Sequence, residues 1–352
     1  MDLQASKIVS HEIESTAIAG NKAGISSTRN IEVYLPDGYD NGKHRYPVIY
    51  WIPGYSSDAV TWGSSIYSSV LDGAIKTGRI TPTIAVFIDV HEGLWFLNSL
   101  ATGNWEDFIV SELVPFIDKT YPTIPDPQAR GIMGHSAGGY SALILPILHP
   151  NVWGCIGLND PAAWLMWYPL IDKSDVPVTT DFAPLHDGYK NLPKDIGGYN
   201  SVGLYTKALI ELGTSFSPNL NSPILCDMPV TPDGNWVPEI LEKWSAYDLT
   251  NPNTIPQYTE TLKKLLSITF IVPEVMDLWE TNSVPNIYLI DCLNKAGISI
   301  TRLNMPGGHG AYMPERFIAI TEQLLKAMQG SGTSVSSRGK LVATWGDIKS
   351  KD

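Results

Sequence analysis

The 352-residue chain is predicted to adopt an α/β fold, a mostly parallel eight-stranded sheet with flanking helices. Three observations predict it. Short β-branched and aromatic runs alternate with segments of helical period through the first half of the chain, which is how helix-covered parallel strands read. Two of those runs, Tyr46 to Ile52 and Thr83 to Val90, are almost continuously apolar, as strands buried on both faces require. Gly and Pro number 30 and 26, enough to close many turns between short elements.

Taken in order, strands are expected near Lys7 to Thr16 and Arg29 to Leu35, the second ended by the turn Pro36-Asp37-Gly38-Tyr39. The two apolar runs follow. Around Asn104 to Asp107 acidic side chains suit the positive end of a helix, and Phe108, Ile109, Leu113, Phe116 and Ile117 then share one face of it. A fifth strand, Arg130 to Met133, leads to a helix from Ala137 to Leu148 that stops at His149-Pro150. The sixth strand is Gly154 to Leu158. The last two strands, Ser267 to Val272 and Ile298 to Asn304, accompany helices from Asn286 to Lys295 and from Pro314 to Met328. Between the sixth and seventh strands, residues 160–265 break the rhythm, with Trp164, Trp167, Tyr168, Trp236, Trp244 and Tyr247 among many Pro, Asp and Asn residues. Helical period shows there only near Leu204 to Leu212 and Glu239 to Trp244. So long a gap predicts an inserted cap rather than a structureless loop. The expected domains are a core of residues 1–159 and 266–328, a cap of 160–265, and a flexible tail of 329–352 that begins in linker-like Gly/Ser sequence.

Composition excludes several classes. Hydrophobic residues make up 43% and charged residues 17%, which fits a large buried core and excludes a disordered chain. The net charge of −12 has the wrong sign for binding nucleic acid or an anionic membrane through charge. No apolar run approaches the ~18 residues of a membrane span. Cys155, Cys226 and Cys292 are widely spaced, with neither a disulfide framework nor zinc-ligand spacing. The opening Met-Asp-Leu-Gln-Ala-Ser-Lys lacks a basic segment followed by an apolar one, so a cytoplasmic protein is expected unless a leader has been removed.

Gly134-His135-Ser136-Ala137-Gly138 is a GxSxG motif between a predicted strand and a predicted helix, where a strained turn lifts a serine hydroxyl to the sheet edge. Ser136 is therefore the candidate nucleophile. Serine is a poor nucleophile at neutral pH unless a histidine takes its proton and a carboxylate orients that histidine. Of the seven histidines only His186 and His309 follow the motif's helix. His186 has no strand behind it, whereas His309 stands in Pro306-Gly307-Gly308-His309-Gly310, just past the final strand. His309 is the candidate base. The turn after the seventh strand offers Asp277 as the first choice of acid, with Glu274 and Glu280 as neighbours and Asp160, at the end of the sixth strand, as a further alternative. An oxyanion hole needs two backbone N–H groups. Ala137 supplies one, and the loop Ile52-Pro53-Gly54-Tyr55 after the third strand supplies the other through Tyr55, since Pro53 has no N–H.

Several blocks in order resemble the putative-esterase, or esterase D-like, family of α/β-hydrolases. They are Arg29-Asn-Ile-Glu-Val-Tyr-Leu-Pro-Asp-Gly-Tyr, Val48-Ile-Tyr-Trp-Ile-Pro-Gly-Tyr, Asn98-Ser with Gly103-Asn-Trp-Glu-Asp-Phe, Gly134-His-Ser-Ala-Gly-Gly-Tyr-Ser-Ala-Leu, Trp244-Ser-Ala-Tyr-Asp and the Gly308-His309 loop. The resemblance runs from about Thr28 to Leu325 and implies an α/β-hydrolase fold. That family includes feruloyl esterases, S-formylglutathione hydrolases, enterochelin esterases and mycolyltransferases. It implies Ser136 as nucleophile, His309 as base, Asp277 as acid and Tyr55 as an oxyanion amide. Two places depart from the family pattern: Pro53-Gly54 replaces the usual His-Gly, and Pro273-Glu-Val-Met-Asp277 replaces the usual Gly-x-x-Asp.

The expected function is a serine carboxylic-ester hydrolase that works through an acyl-enzyme, needs no metal or organic cofactor, and acts on a small-molecule ester. The aromatic residues Trp164, Trp167 and Trp279 are candidates for binding an aromatic or bulky apolar group. Acyl transfer through the same acyl-enzyme and a non-catalytic binding role for the fold are the competing readings, and self-association is left open.

Overall fold

The structure is a computed structural model that describes residues 5–39, 44–55, 62–90, 95–162, 187–251, 253–275, 283–331 and 336–337. Eight strands form one sheet: β1 (Lys7–Glu14), β2 (Thr28–Leu35), β3 (Val48–Ile52), β4 (Ile84–Ile88), β5 (Arg130–His135), β6 (Cys155–Asn159), β7 (Ser267–Pro273) and β8 (Thr301–Met305). Their order across the sheet is β1-β2-β4-β3-β5-β6-β7-β8. The pairs β1/β2 and β2/β4 are antiparallel, and every other neighbouring pair is parallel. The mostly parallel α/β sheet predicted from the sequence is thus present, each strand within three residues of its expected ends.

The helices follow from what the strands must bury. In β3 every residue is buried, and the alternation of side chains sends Val48, Tyr50 and Ile52 to one face and Ile49 and Trp51 to the other. On the second face they meet Leu71 of α1 (Ser68–Lys76) and, from the final helix, Phe317, Leu324 and Met328. On the first face they meet the helical run after Asn104 and the helix that opens behind Ser136.

That helical run shows how one residue reshapes an element. It begins at Trp105–Asp107, widens into π-type turns at Phe108–Leu113 and tightens again in α2 (Val114–Thr120). Pro115 lacks the N–H that would bond to Ser111, and its ring would press on that carbonyl in a regular helix. The wider turns just before it relieve both problems. Phe108, Ile109, Leu113 and Ile117 are buried as their spacing predicted, while Phe116, expected on the same face, is only half-buried against the cluster. The next helix, α3, runs Ala137–Leu148, the predicted bounds.

Between β6 and β7 the described residues hold α4 (Leu204–Phe216), α5 (Pro238–Ser245) and α6 (Ile255–Leu262). The last carried no helical period strong enough to be anticipated. Buried Leu209, Phe216, Trp244, Tyr258 and Leu262 join the same hydrophobic cluster as the sheet and α3. The Tyr140 hydroxyl of α3 donates to the Tyr247 carbonyl at 2.8 Å, and the Trp244 indole N–H donates to Ser217 Oγ at 2.7 Å. Two further helices flank β8, α7 (Ser283–Lys295) before it and α8 (Met313–Gly330) after it. Among the described residues no helix is long and apolar enough to cross a membrane.

Candidate active site

The parallel strands β5, β6, β7 and β8 all end on the same edge, and the chain segments leaving that edge hold the candidate residues. β5 ends at His135, and Ser136 turns the chain into α3 with φ 55° and ψ −120°. This is the left-handed side of backbone space, which a serine enters only at a cost of roughly 1–3 kcal/mol. Neighbours hold it there. The Ser136 N–H donates to the Asn159 carbonyl at 3.1 Å, while the Ser136 carbonyl accepts from Ala162 at 2.9 Å and Tyr140 at 3.0 Å. The two motif glycines are required by close approach: a Cβ on Gly134 would lie 2.2 Å from the Gly138 carbonyl oxygen, and one on Gly138 would lie 2.3 Å from that of Ile52.

His309 follows β8 and is buried. Its Nδ1 lies 2.5 Å from Oδ2 of Asp160, the residue immediately after β6. Asp160 is itself 1% exposed, so this pair meets in a water-poor setting where charge-assisted hydrogen bonds are short and strong. The other carboxylate oxygen, Oδ1, accepts from Asn286 Nδ2 of α7 at 3.0 Å. The Asp160 N–H donates to the Ile271 carbonyl of β7 at 3.1 Å, and its φ of 45° turns the chain sharply away from β6. Asp277, the acid preferred from the sequence, lies outside the described residues, as does Glu280. The ring nitrogen that the acid was expected to orient is occupied by Asp160. Glu274 is exposed on the turn after β7, its N–H donating to Met305.

His135 is the x of the motif and stacks at a tilt on His309, ring centroids 4.5 Å apart. Burial, and then the neighbouring His309, hold its imidazole well below the ordinary histidine range, and its Nδ1 pairs with the Asn159 carbonyl at 3.1 Å. His135 is thus a neutral packing partner for His309. Sequence reading passed over it, along with Asn286, because neither motif spacing nor strand position marks a residue that supports a catalytic group.

Of the two candidate oxyanion donors, Ala137 directly follows Ser136, and Tyr55 stands in the loop that approaches it. Ala137 opens α3, so its N–H has no carbonyl one turn earlier in the helix to bond. Gly54 follows β3 and lies against the elbow, a Cβ there falling 3.1 Å from His135 Cδ2 and 3.4 Å from Ser136 Cβ. Tyr55 is the next residue. Burial raises its phenol above the ordinary tyrosine range, and Glu211 and Tyr199 are its hydrogen-bonding neighbours. Tyr199 in turn donates to Glu211 of α4. Trp164, Trp167 and Trp279 lie outside the described residues.

A strained serine opening a helix at the carboxyl edge of a parallel sheet, with a buried His–Asp pair on the neighbouring strand ends, is the arrangement of the α/β-hydrolase fold. Comparison with known proteins gives the family. The model of the family described as Putative esterase matches residues 23–250, and the chain belongs to that family. The chain is 26% identical over 220 residues to an endo-1,4-beta-xylanase/feruloyl esterase of Xylanibacter ruminicola, a match that covers 59% of this chain and 30% of the relative. It is 25% identical over 149 residues to the S-formylglutathione hydrolase of Bos taurus, covering 37% of this chain and 50% of that one. The matches thus span half or less of these relatives' own length. Among solved structures a ferulic acid esterase superposes with a TM-score of 0.60 at 16% identity, over 92% of this chain and 99% of that one. An S-formylglutathione hydrolase of Staphylococcus aureus does so with a TM-score of 0.52 at 16% identity, over 92% and 100%.

Proposed function

We propose that this chain is a serine carboxylic-ester hydrolase in which Ser136 is the nucleophile, His309 the general base and acid, and Asp160 the carboxylate that orients His309. The observation that carries the reading is the 2.5 Å contact between Asp160 Oδ2 and His309 Nδ1 at the sheet edge that also bears the strained Ser136. That contact directs the second imidazole nitrogen, Nε2, to the proton-transfer role. Ser136 Oγ attacks the ester carbonyl carbon as Nε2 takes the hydroxyl proton. The tetrahedral oxyanion rests on the amides of Ala137 and Tyr55, each worth about 3 kcal/mol in such a hole. Collapse expels the alcohol, protonated by His309, and leaves the acyl group on Ser136. Water then gives up a proton to His309 and attacks the acyl carbon, and as the Oγ–acyl bond breaks His309 returns that proton to Ser136 Oγ and the acid leaves.

The substrate class proposed is an ester with an aromatic or bulky apolar group. It is supported by the feruloyl esterase activity named for a relative and by the candidate aromatic residues Trp164 and Trp167 that follow β6 in the sequence. The test is hydrolysis of a panel of p-nitrophenyl and aromatic-acid methyl esters by the wild type and Ser136→Ala, with a serine-directed phosphonate mapped by mass spectrometry. Turnover by the wild type, a loss of about 10⁴-fold or more in the variant and a label on Ser136 are expected. Added alcohols report whether the acyl group passes to an acceptor other than water. An inactive wild type with Ser136 unlabelled overturns the reading in favour of a binding role.

A further inference from the structure

We propose that Arg316 is a positioning residue that locks the His309 loop in its catalytic geometry; this rests on His309 being the base. The loop reads Pro306-Gly307-Gly308-His309-Gly310, and three glycines around one functional side chain leave the backbone many conformations. Arg316 restricts them. It lies in the first turn of α8, fully buried, and its guanidinium faces back into the loop. Nη2 donates to the carbonyls of Pro306 at 2.7 Å and Gly307 at 3.2 Å, and Nη1 donates to the carbonyl of His309 itself at 3.2 Å.

The choice of side chain is informative because it is costly. Burying a guanidinium carries a desolvation penalty, and a cation in the first turn of a helix opposes the helix dipole. An apolar side chain of similar length would fill the space without either cost. What the guanidinium adds is a planar fork of donors whose geometry fixes the relative positions of three loop carbonyls. His309 is then held twice, through its carbonyl by Arg316 and through Nδ1 by Asp160. Both attachments are needed to fix Nε2, since the Asp160 contact alone lets the ring follow the loop. Arg316 touches neither substrate nor reacting atoms in this scheme, so its effect passes entirely through His309.

The test compares Arg316→Lys and Arg316→Met with the wild type in the full chain. Lysine keeps the buried charge as a point and loses the fork. Both variants are expected to lose on the order of 10–100-fold in kcat with KM within about twofold, the penalty of a base displaced by up to an ångström. Phosphonate titration of active sites counts the competent molecules, so that a loss of folded protein is separated from a loss per site. The low-field proton resonance of the His309–Asp160 hydrogen bond, identified by its absence in Asp160→Asn, is expected to shift or broaden in both variants. The proposal is overturned if kcat per titrated site stays within about twofold of wild type and the resonance does not move. If the methionine variant fails to fold, the lysine variant decides alone. Should the wild type prove inactive, the hydrolase reading fails, and the resonance still reports whether Arg316 holds the loop.

Discussion

Asp160 and Asp277 compete for one role, and of the two only Asp160 lies among the described residues. Asp160 follows β6, is buried, and gives one oxygen to His309 and the other to Asn286. Asp160→Asn presents an amide to the ring and favours the wrong tautomer, so kcat is expected to fall by about 10⁴-fold with the fold intact. Asp277→Asn is expected to leave kcat near the wild-type value, and steady-state kinetics of the two variants decide between the carboxylates. Asn286→Ala removes a donor from a buried carboxylate. It is expected to destabilise the protein by about 2 kcal/mol in urea denaturation, the scale of a lost hydrogen bond to a charged group. Ser136 and His309 were legible as residues because each sits in a short pattern whose backbone demands are local. Asp160 was visible only as one strand-end carboxylate among several, since nothing near it in sequence says which one His309 will meet.

At the scale of elements, the turn from β5 into α3 depends on how closely two backbones pass. The Gly138 Cα lies against the carbonyls of Ile52 and Pro53, and the Gly134 Cα against Gly138. Gly138→Ala puts a methyl group where backbone already stands, with no flexible side chain to yield. It is expected to cost about 3 kcal/mol or more, read as a lowered urea midpoint, and to lower esterase activity with it. The bounds of α3 and the strands were readable because an apolar run bounded by turn residues is a local signal. The π-type widening before Pro115 was not read, because a proline inside a helical run marks a disturbance without saying how the preceding turns absorb it, and helix α6 was not, because packing rather than propensity decides it. The buried face of α6, Ile255, Tyr258, Thr259 and Leu262, becomes a face only once α3 and α7 are there to cover it.

For the whole molecule, proton binding links the site to stability. His135 has its folded-state affinity for protons lowered by burial, so the unfolded chain takes up a proton that the folded chain refuses. Stability therefore falls as pH drops below about 6.5, with a slope of about 1.4 kcal/mol per pH unit from this residue alone. Glu112 works in the same direction at lower pH. Partial burial would raise its carboxyl, but hydrogen bonds from Ser15, the Thr16 hydroxyl and amide, and the Ala17 amide outweigh that and hold it below its ordinary value. Its contribution is present above the unfolded carboxyl range and is lost as pH falls through the folded value. Urea titrations at pH 7, 6 and 5 are expected to show this decline, and His135→Gln is expected to flatten the portion between pH 6.5 and 5.

By itself the sequence determined the α/β class, the succession of strands and helices and the family, and it singled out Ser136 and His309 by the turns in which they stand. These depend on interactions between residues close along the chain, which composition and spacing record. Only the tertiary structure decided which carboxylate meets His309, because β6 and β7 lie side by side and each delivers an acidic residue to the same edge of the sheet. It alone brought Arg316 under the His309 loop and set Glu211 and Tyr199 beside Tyr55. Such contacts join segments up to 156 residues apart, as Tyr55 and Glu211 show, and they exist only after the sheet order has been chosen.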